Sequence, residues 1–375
     1  MKILYITRTF PPSVGGMEQQ SYEFYYALKK IHEVYLISWS HGLPLLPLFF
    51  IKAIVKGSYY CLKYHVDIVQ MGDLSLSPLV VLFKYLFRKK TLAMSHGKDA
   101  FFNNVLYSTT VIPLAKKLDG IVCVSSFLKQ HLGTRGFIDE RLFAIPNGIN
   151  IALYEHVLDR EDARNHIEKT YGINLRNTKI VLSVSRLVKK KGLSNFIENI
   201  LPIVIRSIPN AVFLIVGESR KKEAKEEKAK ILHAIEKHCL QKHIHFCGEV
   251  TDRTILLRQL YTISDVFIMP NQRIEGDCEG FGIVALESAM HELPVVAFSV
   301  DGIPAAVKDG KNGKLLPEGN NLGFAQTIIR LLRDEKRRTA LGRHARTFVS
   351  KYYSWERITY MYSDIITKLH ISKRI

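Results

Sequence analysis

The chain alternates short, β-branched apolar runs with longer segments of helical periodicity, and this alternation is the strongest constraint on its fold. In the first half the predicted strands are Lys2–Thr7, Glu33–Trp39, Asp67–Gln70, Thr91–Ser95 and Gly120–Ser125. The predicted helices between them include Glu18–Lys30 and Ser77–Arg88. Strands that alternate with helices are the signature of βαβ units around a parallel sheet. The first half therefore predicts a Rossmann-like α/β domain.

The same pattern restarts near Asn150, after a turn signal at Pro146, Asn147 and Gly148. The predicted strands of the second half are Lys179–Ser185, Ala211–Gly217, His243–Gly248, Asp265–Pro270 and Leu293–Ser299. Its predicted helices are Arg160–Tyr171, Leu193–Ser207, Lys221–His238, Asp252–Ile263 and Phe281–His291, followed by Leu322–Leu332, Lys336–Lys351 and Ser354–Leu369. A length of 375 residues also favours two domains. We expect an α/β protein with two Rossmann-like domains in tandem.

An acidic pair frames a glycine-broken helix start in the segment from Glu279 to Glu287. Glycine lets backbone approach a ligand closely, and the free N–H groups and positive dipole end of a helix suit phosphate. If the helix begins near Phe281, Glu287 lies about 9 Å along its axis, so one ligand could contact both acids with a diphosphate between them. A nucleotide sugar has this layout. The alternative is an ordinary helix N-terminus with an exposed Glu on each side.

Polar residues also follow several predicted strands, where open α/β sheets bind their ligands. Arg186 and Lys191 offer one bidentate and one point-charge contact to a diphosphate, unless they merely decorate a surface loop. His96 is either a reactive or a structural residue. Gly15 and Gly16 open the first helix and suit a second backbone approach to phosphate, although a plain turn explains them equally well.

The composition indicates which cellular compartment and which kind of partner to expect. Five scattered cysteines without a Cys-x-x-Cys pair, and an amino terminus without signal-peptide character, favour the cytoplasm. The net charge of +18 predicts an anionic partner, but no nucleic-acid-binding signature accompanies it. The His and Cys residues between 233 and 247 match no zinc spacing, so we expect no metal site and no cofactor. A dehydrogenase is disfavoured because the first βα turn lacks Gly-x-Gly-x-x-Gly.

The region between His41 and Lys98 is basic and aromatic. It carries eight basic residues against two acids, and the basic ones are Lys52, Lys56, Lys63, Lys84, Arg88, Lys89, Lys90 and Lys98. The apolar stretch around Pro44 to Ile51 is too short to span a bilayer but could lie in its interface. This predicts contact with an anionic membrane surface. The alternative is that the aromatics are core residues of the first domain and the lysines a solvated rim.

These motifs resemble the retaining glycosyltransferases of family 4, which have the GT-B fold of two Rossmann-like domains with parallel sheets facing across a cleft. The Arg-x4-Lys-Gly match at Arg186, Lys191 and Gly192 and the Glu-x7-Glu match at Glu279 and Glu287 have the family's order and spacing. The resemblance implies an N-terminal acceptor-binding domain, residues 1–158 plus a returning helix at 354–375. It also implies a C-terminal donor-binding domain, residues 159–353.

The resemblance also implies roles for single residues. Arg186 and Lys191 would bind the donor diphosphate, Glu279 the sugar hydroxyls and Glu287 the ribose, with His96 near the transferred sugar. Glu279, His96, Arg186 and Lys191 are therefore the expected catalytic residues. The remaining donor contacts would come from the amides of Phe281, Gly282 and Ile283, from the loop at Gly248 to Val250, and from Gly15 and Gly16.

The implied reaction moves a hexosyl unit from GDP-mannose or a UDP-sugar to a lipid-linked or saccharide acceptor. It retains the anomeric configuration and needs no metal, because Arg186, Lys191 and backbone amides stabilise the leaving group. Such enzymes build glycolipids and envelope polysaccharides, including lipopolysaccharide, and we expect this one at the inner face of the cytoplasmic membrane. The alternative is a catalytically inactive protein of the same fold that binds an anionic glycan or lipid.

Overall fold

The computed structural model describes residues 1–13, 15–40, 45–102, 104–156, 158–218, 222–250 and 255–371. The chain divides into two compact units. Unit 1 comprises Met1–Asn150, Gly276–Phe281 and Tyr353–Ile375, and unit 2 comprises Ile151–Glu275 and Gly282–Tyr352. The binding roles that the sequence predicts for two domains remain predictions.

Unit 1 is built on a six-stranded parallel sheet with the strand order β2-β1-β3-β4-β5-β6. The strands are β1 (Lys2–Thr7), β2 (Glu33–Ser38), β3 (Ile68–Met71), β4 (Lys90–Ser95), β5 (Gly120–Cys123) and β6 (Leu142–Ala144). The helices of the first 150 residues are α1 (Gly16–Lys29), α2 (Leu46–Lys63), α3 (Lys98–Phe101), α4 (Ile112–Ala115) and α5 (Ser126–Thr134). The residues His41 to Pro44, which precede α2, lie outside the described part of the chain.

Unit 2 repeats the architecture with a second six-stranded parallel sheet of order β12-β11-β10-β7-β8-β9. The strands are β7 (Lys179–Val184), β8 (Ala211–Val216), β9 (Ile244–Gly248), β10 (Val266–Met269), β11 (Val295–Phe298) and β12 (Gly313–Leu316). The helices are α6 (Arg160–Tyr171), α7 (Leu193–Asn195), α8 (Leu201–Ser207), α9 (Lys222–Lys237), α10 (Leu256–Ile263), α11 (Val284–Met290), α12 (Ile303–Ala306), α13 (Asn321–Arg333) and α14 (Glu335–Tyr353). The two parallel sheets confirm the predicted fold class.

The last helix, α15 (Trp355–Ile371), packs in unit 1. Trp355 and Tyr362 lie in the same apolar cluster as Phe24 of α1, with ring centroids 5.9 and 4.8 Å from that phenylalanine. The backbone of Ile149 donates to the carbonyl of Tyr353 over 2.8 Å, which ties the start of this segment to the end of the first 150 residues. The carboxy-terminal helix is thus part of the first unit's core.

Each sheet reverses its winding direction at one point, and these switch points are where such sheets bind ligands. In unit 1 the reversal falls between β1 and β3, and in unit 2 between β7 and β10. The loops that leave the carboxyl ends of these four strands therefore determine where the chemistry can occur.

Two predicted helices are irregular. The segment predicted as one helix over Ser77–Arg88 is a 3-10 helix at Leu74–Leu79, with Pro78 inside it, followed by a π-helical turn at Val81–Leu86. The segment predicted over Leu193–Ser207 has a π-helical turn at Phe196–Ile200. Pro202 follows that turn and lacks the N–H that a regular helix would donate to the fourth residue before it. Both segments are helical, as predicted, and proline interrupts the regular hydrogen-bond ladder in each.

The sequence did not predict β6 and β12. Both are short strands at the edge of their sheets, and the three later residues of β12 are only half-buried. Edge strands need fewer apolar residues because one side faces solvent, so their periodicity is weak. The predicted helix Asp252–Ile263 is described from Leu256, and residues 251–254 lie outside the described part of the chain.

Candidate active site

The switch point of the second sheet carries a small pocket at the carboxyl ends of β7 and β10. Its walls include Ser185 after β7, Met269 and Pro270 at the end of β10, and Val284 at the start of α11. Lys191 also lines it. This is the position at which an open parallel sheet holds its ligand.

The loop that carries Lys191 is fixed to the end of β10 by backbone contacts. Lys191 ends a 3-10 turn, and the carbonyl of the preceding Lys190 accepts from the amide of Gln272 over 2.9 Å. Gly192 has a φ of +67°, and a side chain there would collide with the carbonyl oxygen of Pro270. Only glycine fits this position, which explains why it follows the lysine.

Arg186 follows Ser185 directly but its side chain is exposed, and it does not line the small pocket. The structure therefore brings Lys191 and Val284 together at one pocket, and the exposed Arg186 lies outside the lining of that pocket. Its predicted contact with the diphosphate remains a prediction.

The helix α11 begins at Val284, three residues later than the sequence predicts. Phe281 and Gly282 precede it, and Gly282 has a φ of +93°, a conformation that favours glycine. Within the described residues, no hydrogen-bond acceptor is found for the amides from Phe281 to Val284. The predicted amide contacts thus lie in a turn before the helix, and the distance of about 9 Å along a regular helix does not apply.

Glu287 is a buried carboxylate in the first turn of α11, with 7% of its surface exposed. The hydroxyl of Tyr261 on α10 donates to its Oε2 over 2.9 Å. A buried carboxylate is stable only when polar partners replace water, so Tyr261 contributes to keeping this charge in place. Burial distinguishes Glu287 from the exposed helix flank that was the alternative interpretation.

Tyr261 is itself held by His291, because the two rings stack with centroids 5.4 Å apart and an interplanar angle of 12°. Nδ1 of His291 lies 3.1 Å from the hydroxyl of Thr262. Burial, together with the charges of Arg258 and Arg346, lowers the pKa of His291 to about 3. The imidazole is therefore neutral at physiological pH and acts as an aromatic support for Tyr261.

Glu279 lies in the segment of unit 1 that packs against the loop after β4. A side chain at Gly280 would collide with the carbonyl oxygen of His96, and Gly97, with a φ of +124°, has its Cβ position 3.0 Å from the Cα of Gly280. Two glycines thus allow the backbones to touch. The predicted residues His96 and Glu279 are brought together by this contact, and Glu279 is half-buried.

The loop after β4 is organised by Asp99. Its Oδ1 accepts from the amides of His96 and Gly97 over 3.0 and 2.9 Å. Burial raises the pKa of Asp99, while the nearby His96 lowers it and Asp73 raises it further. Nε2 of His96 lies 3.0 Å from the carbonyl oxygen of Gly72, which can only accept, so Nε2 donates in this contact and the ring is held in place.

The switch point of the first sheet holds an ion pair that sequence reasoning missed. Nε of Arg8, after β1, lies 2.7 Å from Oδ2 of the buried Asp73 and 2.8 Å from the hydroxyl of Ser75. Asp73 follows β3, so the pair bridges the two strands between which the sheet reverses. The signal that could have found them was their position after predicted strands, Arg8 directly after the first and Asp73 three residues after the third.

The remaining predicted contacts lie at strand ends or helix starts. Gly16 is the first residue of α1, and the carbonyl of Gly15 accepts from the amide of Gln19 over 3.1 Å. Gly248 ends β9 with a φ of +65°, and its carbonyl accepts from the amide of Gly217. Val250 is half-buried in the loop beyond it. In the described part of the chain no group of three or more His, Cys, Asp or Glu could hold a metal ion.

Solved structures share this fold over nearly the whole chain. The chain is similar to HepE of Anabaena, solved in complex with UDP, with a TM-score of 0.77 at 18% identity, over 98% of this chain and 100% of that one. A glycosyltransferase from Rickettsia africae gives a TM-score of 0.78 at 20% identity, with 99% of each chain covered. The likeness, with the two six-stranded parallel sheets, defines a protein of the GT-B class.

Two family models match most of the sequence. The model described as "Glycosyltransferase Family 4" matches residues 14–153, and the one described as "Glycosyl transferases group 1" matches residues 167–348. The chain belongs to the family 4 glycosyltransferases, and the predicted resemblance is confirmed. It is 26% identical to the GDP-mannose-dependent alpha-(1-6)-phosphatidylinositol monomannoside mannosyltransferase of Mycolicibacterium smegmatis over 94% of this chain and 95% of that protein. A protein of the same description from Mycobacterium tuberculosis is 28% identical over 74% of this chain and 69% of its own length.

Proposed function

We propose that this glycosyltransferase moves a hexosyl unit from a nucleotide-diphosphate sugar to a lipid-linked or saccharide acceptor, with retention of configuration and without a metal ion. The observation that carries the proposal is the run of amides from Phe281 to Val284, for which the described part of the chain offers no acceptor and which lies between Glu279 and Glu287 in the chain. Such amides attract phosphate, and carboxylates accept hydrogen bonds from sugar hydroxyls. Lys191 beside Val284 adds a positive charge at the same point.

The chemistry assigned to these groups is leaving-group stabilisation. The bond from the anomeric carbon to the diphosphate oxygen breaks, and a bond to the acceptor oxygen forms on the same face. The departing phosphate oxygen takes the acceptor's proton, so no protein nucleophile is required. Lys191, Arg186 and the amides stabilise the charge that grows on the diphosphate. His96, fixed by Gly72 and Asp99, and Glu279 orient the sugar.

The donor is expected to be GDP-mannose or a UDP-sugar. The mycobacterial relatives use GDP-mannose and HepE was solved with UDP, which supports both bases. A lipid-linked acceptor agrees with the phosphatidylinositol mannoside substrates named for those relatives. We infer a role in cell-envelope glycan synthesis, including polysaccharide or lipopolysaccharide, at the cytoplasmic face of an anionic membrane.

A panel of nucleotide sugars tested by thermal shift and then in transfer assays identifies the donor. A ligand at about 100 times its Kd stabilises the folded protein by roughly 2.7 kcal/mol, which a melting curve detects. NMR of the product then distinguishes retention from inversion at the anomeric carbon. Binding without transfer or donor hydrolysis would favour the inactive glycan- or lipid-binding alternative. Loss of activity on Glu279→Ala in a folded protein would instead support the enzyme.

Metal independence has its own test. Transfer should continue in EDTA at the rate measured with Mg²⁺ or Mn²⁺, because cationic side chains and amides stabilise the leaving group. Complete loss in EDTA that added Mn²⁺ restores would show that a metal takes this role.

Lys191→Ala is expected to lower kcat/KM by roughly a hundredfold, about 3 kcal/mol of transition-state stabilisation, the usual cost of losing one preorganised group at a developing anion. The matched control is Lys189→Ala, because Lys189 is an exposed lysine in the same 3-10 turn. Arg186→Lys should also reduce activity, since an ammonium cannot reproduce a bidentate contact. Equal kinetics for Lys191→Ala and Lys189→Ala would show that Lys191 does not contact the diphosphate.

A further inference from the structure

Helix α2 has apolar side chains on two opposite faces. One face packs on the sheet of unit 1 and consists of Phe49, Ala53, Gly57 and Cys61, which are all buried. The other consists of Leu48, Ile51, Val55, Tyr59 and Leu62, which recur every three or four positions and all point to solvent. This second set is called the α2 face below. A surface helix normally presents polar residues on that side.

The exposure of the α2 face is large for aliphatic side chains. Ile51, Val55 and Leu62 are 58%, 63% and 67% exposed. Single exposed apolar residues are common, but a stripe of them along a whole helix marks an interaction surface. At about 1.5 Å per residue the stripe from Leu48 to Leu62 is about 21 Å long.

The exposed Lys56 and Lys63 line one edge of the α2 face, Lys52 on the same side donates to the carbonyl of Ser38 over 2.9 Å, and the helix contains no acidic residue. Lys52, Lys56 and Lys63 follow one another at intervals of four and seven positions, so they lie on one side of the helix. Nζ of Lys63 lies 2.6 Å from the hydroxyl of Tyr59 and within 5.4 Å of the centre of the Tyr64 ring. Lysine and tyrosine at the border of an apolar surface are typical of the membrane interface.

The neighbouring π-helical turn Val81–Leu86 extends the surface. Its Phe83 packs directly on α2, because a Cβ at Gly57 would lie 2.6 Å from the Phe83 ring. The same turn exposes Val81, Tyr85 and Leu86. Burial raises the pKa of the Cys61 thiol on α2 to about 11. The charge of the following Lys89 lies close enough to lower the same pKa, which places Lys89 beside α2. Lys84 does not belong to this set, because it pairs with Asp119 over 2.9 Å.

We propose that the α2 face is the part of the protein that enters an anionic bilayer, lying in the boundary between headgroups and acyl chains with its lysines at the phosphates. The inference rests on the proposed function in one respect: a lipid-linked acceptor is the reason for this protein to be at a membrane. Charge complementarity favours an anionic bilayer over a second protein, because the surface combines exposed aliphatic residues with positive charge of one sign. None of the described helices is long and apolar enough to pass through the membrane.

Vesicle co-sedimentation tests the assignment with a double variant, Ile51→Glu with Val55→Glu. The wild-type protein should bind vesicles of phosphatidylglycerol and phosphatidylcholine, and bind phosphatidylcholine alone much less. The double variant should lose at least tenfold in partitioning, because burying one aliphatic side chain is alone worth roughly tenfold. The matched control is Leu232→Glu, which changes a leucine on α9 of unit 2 that is 47% exposed and should bind as the wild type does.

A second variant distinguishes insertion from electrostatic adsorption and keeps an aromatic ring at the same place on the surface. Tyr59→Trp should show a blue-shifted emission on anionic vesicles and be quenched by lipids brominated in their acyl chains. Binding without quenching, binding by the double variant equal to wild type, or an oligomer that the double variant disperses would each overturn the proposal.

Failure of this inference and failure of the proposed function are separable. Transfer to a water-soluble acceptor should be unchanged in the α2 variants, because α2 carries none of the proposed donor contacts. A protein that binds vesicles through α2 but transfers no sugar from any donor would contradict the proposed function alone. A protein that transfers sugar in solution but ignores vesicles would contradict the membrane assignment alone.

Discussion

Single side chains beneath the proposed donor site hold its charged groups in position, and Tyr261 is the clearest case. Its hydroxyl contacts Glu287 and its ring stacks on His291, so one residue links the carboxylate to the interior of unit 2. No sequence pattern pointed to it, because a tyrosine in an amphipathic helix is usually only a core residue. Its role depends on a contact between α10 and α11, which are 26 positions apart at the residues concerned.

Tyr261→Phe is expected to weaken binding of the nucleoside diphosphate by about tenfold or more, because a hydrogen bond to a charged group contributes about 1.5–3 kcal/mol. The ring and its stacking on His291 would remain. If Glu287 binds the ribose hydroxyls, Tyr261→Phe should hardly change the affinity for the 2′,3′-dideoxy nucleotide, because that nucleotide lacks those hydroxyls. Calorimetric titration of both nucleotides distinguishes the two cases.

The control for this experiment is Glu287→Gln, which should weaken binding of the same nucleotide by itself. An effect of Tyr261→Phe on both nucleotides alike would mean that the tyrosine supports the fold rather than the orientation of Glu287. If neither variant changed the affinity for the nucleotide, Glu287 would not belong to the donor site.

At the scale of elements, close backbone contacts determine the site more than helices do. Gly280 and Gly97 bring the segment of Glu279 against the loop of His96, and Gly192 fixes the Lys191 loop to β10. The sequence predicted most strands within one or two residues, because buried parallel strands are continuous apolar runs. It could not predict these contacts, because a glycine in a sequence does not reveal which distant backbone it lies against.

Gly280→Ala is expected to reduce transfer by about a hundredfold, because the new methyl group collides with the backbone of His96 and displaces groups that need precise positions. The control is Gly133→Ala in α5, where no atom lies within 4 Å of the new methyl group. Steady-state kinetics of both variants checks the prediction. Full activity of Gly280→Ala would show that the loop contact is not needed for catalysis.

The neutral His291 predicts a pH dependence of stability. Its pKa is about 3 in the folded protein against an ordinary 6.5, so between these values the unfolded chain binds a proton that the folded protein does not. Stability should therefore fall as the pH drops below 6.5, with a contribution of about 1.4 kcal/mol per unit from this group. When the pH is lowered from 6.5 to 5, the free energy of unfolding measured with urea should fall by about 2 kcal/mol less in His291→Asn than in the wild type. An unchanged slope would contradict the assignment.

At the scale of the whole molecule, the end of the chain completes the core of its beginning. Trp355 is buried at the start of α15, against Gly148 and the ring of Phe24, and its indole N–H donates to Glu23. The sequence predicted a closing helix over Ser354–Leu369, and α15 lies in unit 1. The core of unit 1 therefore includes residues more than 300 positions apart.

Trp355→Ala is expected to destabilise unit 1 by about 3–5 kcal/mol, the usual cost of truncating a buried aromatic side chain. The control on the same helix is Tyr360→Ala, because Tyr360 is 61% exposed. Hydrogen exchange resolved by region measures the effect in unit 1 and unit 2 separately. Equal protection of α1 in the two variants would contradict the prediction.

The position of α15 has a consequence for synthesis on the ribosome. The residues of unit 2 all precede Tyr353, so unit 2 can assemble its own core without the segment that follows. Unit 1 cannot, because Phe24 and the rest of the α1 surface stay uncovered until the residues after Ser354 emerge. The first part of unit 1 thus waits for its last part, and its apolar surface stays open to chaperones while unit 2 is made.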